Sequence, residues 1–150
     1  MTRDTARHPS AARAAGVVLL RADGAVLLQL RDDQPGLSAP ANWVFPGGGC
    51  DDGESCADCA RREFHEETGY RCAELYQLTE FAYDCPDVQR SFWLSFWWSP
   101  YDGVRAVHCF EGQEVRFVPR PEALRLRIPG YLPGVWDLAL AAAKKALPHP

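Results

Sequence analysis

Three glutamates stand close together in the sequence at a spacing that could hold a divalent cation. Glu63, Glu66 and Glu67 occupy positions i, i+3 and i+4. On a helix this spacing places the side chains on one face, with Cβ atoms about 5–6 Å apart. Carboxylate oxygens suit Mg²⁺ or Mn²⁺, and a cation held there would neutralise phosphate oxygens and activate a bound water. The spacing therefore indicates a candidate metal site for phosphate chemistry.

A solvated acidic helix face is the alternative interpretation. Repulsion between hydrated carboxylates at this spacing costs only about 0.2–0.5 kcal/mol per pair, so such a face would be stable without a ligand. The preceding loop favours the metal site. Its glycines, residues 47–49, allow the backbone to approach a ligand closely, and Asp51, Asp52 and Glu54 add negative charge.

One helix must carry these acids, and its ends are marked in the sequence. Ser55 followed by Asp58 forms an N-terminal capping box, and Gly69 suits the left-handed position after the last turn. We therefore predict a helix over residues 55–68. Apolar side chains recur at spacings of three and four on its other face: Ala57, Ala60 and Phe64.

Apolar runs on both sides of this helix predict strands. Residues 14–21 and 25–31 are joined by Ala22-Asp23-Gly24, which is a hairpin signal, and residues 43–45 form a short run ended by a proline and three glycines. Further extended segments and a closing helix are expected after the helix at 55–68: strands at 73–83, 88–99, 104–110 and 115–118, and a helix at 133–147.

This order of elements predicts an α/β sandwich around a mixed sheet. We expect one domain over residues 14–150, preceded by a disordered or loosely attached tail over residues 1–13. The net charge of −4 argues against a surface that coats nucleic acid, and no apolar run approaches the roughly 20 residues of a membrane-spanning helix. The polar start lacks the apolar core of a signal peptide, so we expect a cytoplasmic protein with no membrane partner.

The segment from Gly48 to Tyr70, GGCDDGESCADCARREFHEETGY, resembles the signature of the Nudix hydrolase family. That signature is a Gly, five residues, a Glu, seven residues, then Arg-Glu-x-x-Glu-Glu-x-Gly, with two aliphatic positions that hold Phe64 and Tyr70 here. All its polar and glycine positions are filled: Gly48, Glu54, Arg62, Glu63, Glu66, Glu67 and Gly69.

The resemblance implies a Nudix fold, an α/β/α sandwich whose loop–helix–loop motif carries the chemistry. It also implies a pyrophosphatase that cleaves the diphosphate linkage of a nucleoside triphosphate or nucleoside diphosphate derivative by water attack on phosphorus. Mg²⁺ would be the cofactor, with Mn²⁺ as a substitute. The partner would be a small nucleotide-type substrate, not a nucleic acid, and family members often form homodimers.

By the same resemblance, Glu63, Glu66 and Glu67 would bind metal, and Glu63 is also a candidate general base. Arg62 would orient Glu63, and the carbonyl of Gly47 would add a ligand. The motif positions Gly48, Glu54 and Gly69 would be structural.

A further acid lies outside the motif. Glu111, in Glu111-Gly112-Gln113, matches a tripeptide that carries another metal-ligand Glu in MutT-like members. Glu114 is the rival for this role, and a solvated turn before a strand is the other interpretation.

The substrate itself is left open by the sequence. Tyr131 and Trp136, near a Pro-Gly loop, are candidates for a nucleobase pocket, whereas Trp93, Trp97 and Trp98 are better explained as core residues. An oxidised deoxynucleoside triphosphate, ADP-ribose and a nucleotide sugar all stay open. The competing function is a Nudix module that binds a nucleotide without hydrolysing it.

Overall fold

The computed structural model describes residues 12–146. The predicted tail lies outside the described residues except for Ala12 and Arg13, which begin the first strand. The elements in chain order are β1 (Ala12–Leu20), β2 (Val26–Leu30), β3 (Trp43–Val44), β4 (Gly47–Gly49), α1 (Cys56–Thr68), β5 (Tyr76–Cys85), β6 (Arg90–Pro100), β7 (Glu114–Val118), a 3₁₀ helix (Arg120–Arg125) and α2 (Leu132–Ala146).

All seven of these strands belong to one mixed sheet. Its main path runs β3-β2-β1-β6-β5, with β4 paired to β1 and β7 paired to β2. The strands β1 and β6 are parallel, and the other pairs are antiparallel. The predicted hairpin is confirmed, since Leu20 pairs with Val26 across the Asp-Gly turn.

The two faces of the sheet bury different helices. Along β1, successive side chains point to opposite faces, so Val17 packs in the cluster that contains Phe64 of α1, and Val18 packs in the cluster that contains Trp136 of α2. Full burial of an aliphatic side chain of this size stabilises the fold by about 1.5–3 kcal/mol. The predicted α/β/α sandwich is confirmed.

The predicted boundaries of α1 are also confirmed. The Ser55 hydroxyl accepts a hydrogen bond from the backbone N–H of Asp58 at 3.1 Å, and Gly69 adopts a left-handed φ of 74°. Ala60 and Phe64 are buried, so the apolar face anchors the helix on the sheet, although Ala57 is only half-buried. The opposite face is free to carry the acidic side chains.

The tryptophans of β6 are largely core residues, as the sequence indicates. Trp93 and Trp98 are buried, and Trp97 is half-buried against the cluster beneath α1. The strand lies between β1 and β5, which explains why both of its faces are apolar.

Two local predictions were wrong. Residues 104–110 form a loop instead of a strand, because backbone N–H groups there cap the end of α1: His108 donates to the carbonyl of Thr68 at 2.8 Å, and Phe110 to that of Glu67 at 2.9 Å. The glycines expected to end a strand form β4, which pairs with residues 14–16 of β1. Within residues 12–146, none of the helices has the length and apolar character needed to cross a membrane.

Candidate active site

A cavity of about 440 Å³ opens beside β4 and the acidic face of α1. Its polar wall contains Glu63, Glu67 and Glu111 together with the three glycines of β4. The same cavity also has an aromatic wall, formed by Tyr83, Phe92, Phe96 and Tyr131. The cavity thus combines acidic groups with flat apolar surfaces, an arrangement that suits a ligand with a charged end and an aromatic end.

Glu63 packs directly against the backbone of Gly48. A Cβ atom added to Gly48 would overlap the Glu63 carboxylate, so this position needs glycine for the carboxylate to lie where it does. Burial raises the pKa of Glu63 above its ordinary value, and Arg62 acts in the opposite direction. Oxygen Oε1 accepts a hydrogen bond from Nη1 of Arg62 at 2.9 Å.

Arg62 holds the loop and the helix together. Its Nε and Nη2 donate to the two carboxylate oxygens of Glu54 at 2.8 and 2.9 Å, and Nη2 also donates to the carbonyl of Gly49 at 3.1 Å. Its Nη1 lies 3.3 Å from Oε2 of Glu66. Glu54 also accepts from the backbone N–H of Asp51 at 3.0 Å, so it braces the loop before α1.

Glu67 is a buried acid that makes no ion pair among the described residues. Only 3% of its surface is exposed, and its Oε2 accepts a hydrogen bond from the neutral amide of Gln29 at 2.8 Å. Burial raises the pKa of Glu67 to about 8, and the neighbouring Glu111 and Glu63 add to this effect. A buried carboxylate without a positive partner is costly, so this position favours a bound cation.

The other two candidate ligands lie in different surroundings. Glu111 lines the cavity, whereas its rival Glu114 does not and has its carboxylate 3.8 Å from Arg116. Glu66 is exposed, pairs with Arg62 and lies outside the cavity wall. The structure therefore brings Glu63, Glu67 and Glu111 to one cavity, whereas Glu66 is not part of its lining.

The donor set suits a hard divalent cation, because it consists of carboxylates beside the backbone of Gly47. In the part of the chain that the structure describes, however, three or more acidic, histidine or cysteine side chains do not gather around one point. Glu63 and Glu66 are engaged by Arg62, and Glu67 is engaged by Gln29. The chemistry of the donors fits a metal ion, while hydrogen bonds from Arg62 and Gln29 orient the carboxylates.

The two residues predicted to line a nucleobase pocket, Tyr131 and Trp136, lie in different places. Tyr131 lines the cavity and packs against Tyr83 and Phe96, with ring centroids 5.1 and 5.3 Å away; burial raises the pKa of Tyr131. The prediction for Trp136 was wrong. Trp136 is fully buried in the core beneath α2, and its Nε1 donates to the carbonyl of Gly24 at 3.2 Å.

Sequence reasoning missed Gln29, which contacts both Glu67 and the backbone of Glu111. The available signal was an amide side chain in the middle of an otherwise apolar strand, VLLQL. Arg31 lines the cavity and donates from Nε to the carbonyl of Ser38 at 2.7 Å. Arg13 lines the same cavity.

Comparisons with known sequences relate this chain to one protein family. A family model described as the NUDIX domain matches residues 11–133. An RNA pyrophosphohydrolase of Caulobacter vibrioides is 46% identical over 81 residues, which are 53% of this chain and 45% of that protein. Nudix hydrolase 25 of Arabidopsis thaliana is 32% identical over 90 residues, covering 59% and 49%. The chain thus spans about half the length of these curated relatives.

Solved structures extend the likeness to the whole fold. The MutT protein from Methanosarcina mazei matches with a TM-score of 0.74 at 18% identity, covering 89% of this chain and 95% of that one. The ORF135 protein of E. coli matches with a TM-score of 0.69 at 24% identity, covering 93% and 98%. At these identities the match is evidence for the fold alone.

Proposed function

The chain belongs to the NUDIX domain family, and from this membership we propose that it is a Mg²⁺-dependent hydrolase of nucleotides. It cleaves a diphosphate linkage in a nucleoside triphosphate or a nucleoside diphosphate derivative, by attack of water on phosphorus. Mn²⁺ substitutes for Mg²⁺. The single observation that carries the proposal is the buried Glu67, which makes no ion pair among the described residues and shares one cavity with Glu63 and Glu111.

The cation would be held by Glu63, Glu66 and Glu67, with the Gly47 carbonyl and Glu111 as further ligands. When bound, such a cation would supply positive charge to neutralise phosphate oxygens and to make the attacking water more acidic.

The protein's own residues orient the reaction. Arg62 holds Oε1 of Glu63, which leaves Oε2, the oxygen beside Gly48, for the cation or, where Glu63 serves as the general base, for the proton of the attacking water. Gly48 gives that carboxylate room, and Glu54 keeps Arg62 in place.

The aromatic wall is suited to the base of the substrate. Tyr83, Phe92 and Tyr131 line the same cavity as the acids and offer flat surfaces on which a nucleobase can stack. We propose a small nucleotide as the substrate. One of the relatives is an RNA pyrophosphohydrolase, so the 5′ end of RNA is the second substrate to test.

The decisive experiment is a substrate panel assayed with Mg²⁺ and with Mn²⁺ and analysed by the mass of the products. It contains nucleoside triphosphates, oxidised deoxynucleoside triphosphates, ADP-ribose, nucleotide sugars and 5′-triphosphorylated RNA. We expect release of phosphate, diphosphate or a nucleoside monophosphate from one class. Tight binding of a nucleotide without turnover would instead favour the non-catalytic binding module. The absence of product from every substrate in the panel would overturn the proposal.

Variants of the acids test the site itself. We expect Glu67→Gln, and likewise Glu66→Gln, to lower kcat by orders of magnitude while the circular dichroism spectrum is unchanged. Glu74→Gln is the matched control, since Glu74 is exposed and lies outside the cavity wall. Sedimentation of the same samples reports whether the protein is a homodimer.

A further inference from the structure

Gln29 is a polar side chain in a place where the strand otherwise buries apolar ones. It lies in β2 between Leu28 and Leu30 and is 3% exposed. Its backbone is held from both sides, because it pairs with Val44 of β3 and with Val115 of β7. A buried amide in such a position is costly unless its donors and acceptor are hydrogen-bonded.

The two donor bonds of this amide join distant parts of the chain. Nε2 donates to Oε2 of Glu67 at 2.8 Å and to the backbone carbonyl of Glu111 at 2.9 Å. An amide nitrogen carries two protons, so both are used. One side chain therefore links the sheet to a carboxylate of α1 and to the segment that carries Glu111.

That segment lies directly on Gln29. Gly112 has a left-handed φ of 83°, and a Cβ atom there would lie 2.6 Å from the Leu30 carbonyl oxygen and 3.2 Å from Cγ of Gln29. The next residue continues the contact, since Gln113 donates from its backbone N–H to the Leu30 carbonyl at 2.8 Å. The position of the Glu111 backbone is thus set against β2.

We propose that Gln29 is a positioning residue for the metal site. Its amide holds one oxygen of Glu67 in place and sets the Glu111 segment beside Glu67. The inference rests on the proposed function, because it concerns the same acids. A neutral amide is suited to this role. A lysine or arginine at position 29 would neutralise Glu67 and compete with a cation, and an apolar residue would leave the buried Oε2 without a donor.

The first test replaces the amide while keeping the length of the side chain. We expect Gln29→Met to weaken Mn²⁺ binding by about 10–100-fold, the range for residues that orient metal ligands, as measured by titration calorimetry without substrate. Thermal melting of the metal-free variant shows whether it is folded. If Gln29→Met fails to fold, Gln29→Leu and Gln29→His are titrated in its place.

A double-variant cycle separates positioning from a general structural role. If Gln29 acts through Glu67, the loss caused by Gln29→Met shrinks or disappears when Glu67 is already Gln, because the metal-binding carboxylate is then absent. An equal loss of Mn²⁺ affinity in both backgrounds, or no loss in either, would overturn the inference.

Gln113 is the matched control. It anchors the same segment, since its Nε2 donates to the Arg31 carbonyl at 2.9 Å, so it is matched only for the placing of Glu111. The control for a loss unrelated to the site is Gln77, which is the same residue type on β5, is exposed and lies outside the cavity wall. We expect Gln77→Met to bind Mn²⁺ like the parent protein and Gln113→Met to lose less affinity than Gln29→Met, and a loss in Gln77→Met equal to that in Gln29→Met would overturn the inference. If the parent protein binds no Mn²⁺ and hydrolyses no substrate, the proposed function fails first; if the parent binds Mn²⁺ and Gln29→Met binds it equally well, only the role of Gln29 fails.

Discussion

Arg62 is the side chain on which the geometry of the acidic groups depends. Its planar guanidinium donates to Glu54 with two nitrogens and to Glu63 with a third, all within 2.9 Å. A lysine keeps the charge but has no rigid fork, so it cannot hold both carboxylates in the same orientation. The charge of Arg62 alone is therefore not what positions Glu63.

We expect Arg62→Lys to lower kcat by about 10–100-fold, as for other residues that orient metal ligands, with a smaller change in KM. Steady-state kinetics with saturating Mg²⁺ on the substrate identified by the panel checks this. Arg61→Lys is the control, because Arg61 is the exposed neighbour and its Nη1 donates to the Cys72 carbonyl, at 2.7 Å, away from the acids. Full activity of Arg62→Lys would show that the fork geometry is unnecessary.

Single residues were predictable from the sequence only where a local pattern carried them. The motif placed Arg62 and Glu63 side by side, and their contact follows from neighbouring positions on one helix. Gln29 could not be found this way, because its partners lie 38 and 82 positions further along the chain. Trp136 was misassigned although Leu132, Val135 and Ala139 share its buried face, so the helical period of α2 indicated a core residue.

Among the elements, β4 consists of three consecutive glycines that differ in what surrounds them. A Cβ atom on Gly47 would overlap the backbone of Ala15 in β1, and one on Gly48 would overlap the Glu63 carboxylate. A Cβ atom on Gly49 would meet nothing within 4 Å. Alanine substitutions along this one strand therefore separate stability from activity.

We expect Gly47→Ala to lower the free energy of unfolding by about 1–3 kcal/mol, because the overlapping atoms are backbone and cannot move aside. Gly48→Ala should instead leave stability nearly unchanged and reduce kcat by about 10–100-fold, since the flexible Glu63 side chain is displaced from its working position. Gly49→Ala should alter neither quantity. Urea denaturation and steady-state kinetics on the three variants check this, and equal behaviour of all three would contradict the assigned surroundings.

Prediction of elements succeeded where both ends carried a chemical signal. Ser55 and Gly69 marked the two ends of α1, and the structure uses both as caps, with the backbone N–H of Asp58 donating to Ser55. Residues 104–110 have strand-like composition, but their N–H groups bond to carbonyls at the end of α1, and a sequence pattern does not show which partner an extended segment will find. The same limit explains β4, whose glycines form a strand only because β1 lies beside them.

At the scale of the molecule, the order of strands and helices was enough to predict the sandwich, because each apolar face must be covered. The cavity was not predictable in the same way. The motif supplies one wall from β4 and α1, whereas the aromatic wall comes from β5, β6 and the segment before α2. The parallel pairing of β1 with β6 helps to bring these parts together, and no local pattern encodes that pairing.

Because the fold buries Glu67 beside two other acids, metal binding and folding should be coupled. We expect Mg²⁺ at about 100 times its dissociation constant to stabilise the protein by about 2.7 kcal/mol, which raises the melting temperature by about 5–10 °C in a domain of this size. Glu67→Gln should melt at a higher temperature than the parent protein without metal, because it removes a buried carboxylate, and should gain less from Mg²⁺. Calorimetric melting in Mg²⁺ and in NaCl of equal ionic strength measures both effects. An equal gain from Mg²⁺ in the parent and in Glu67→Gln would mean that the cation binds elsewhere, since only binding at this carboxylate links the charge of Glu67 to the stability of the whole fold.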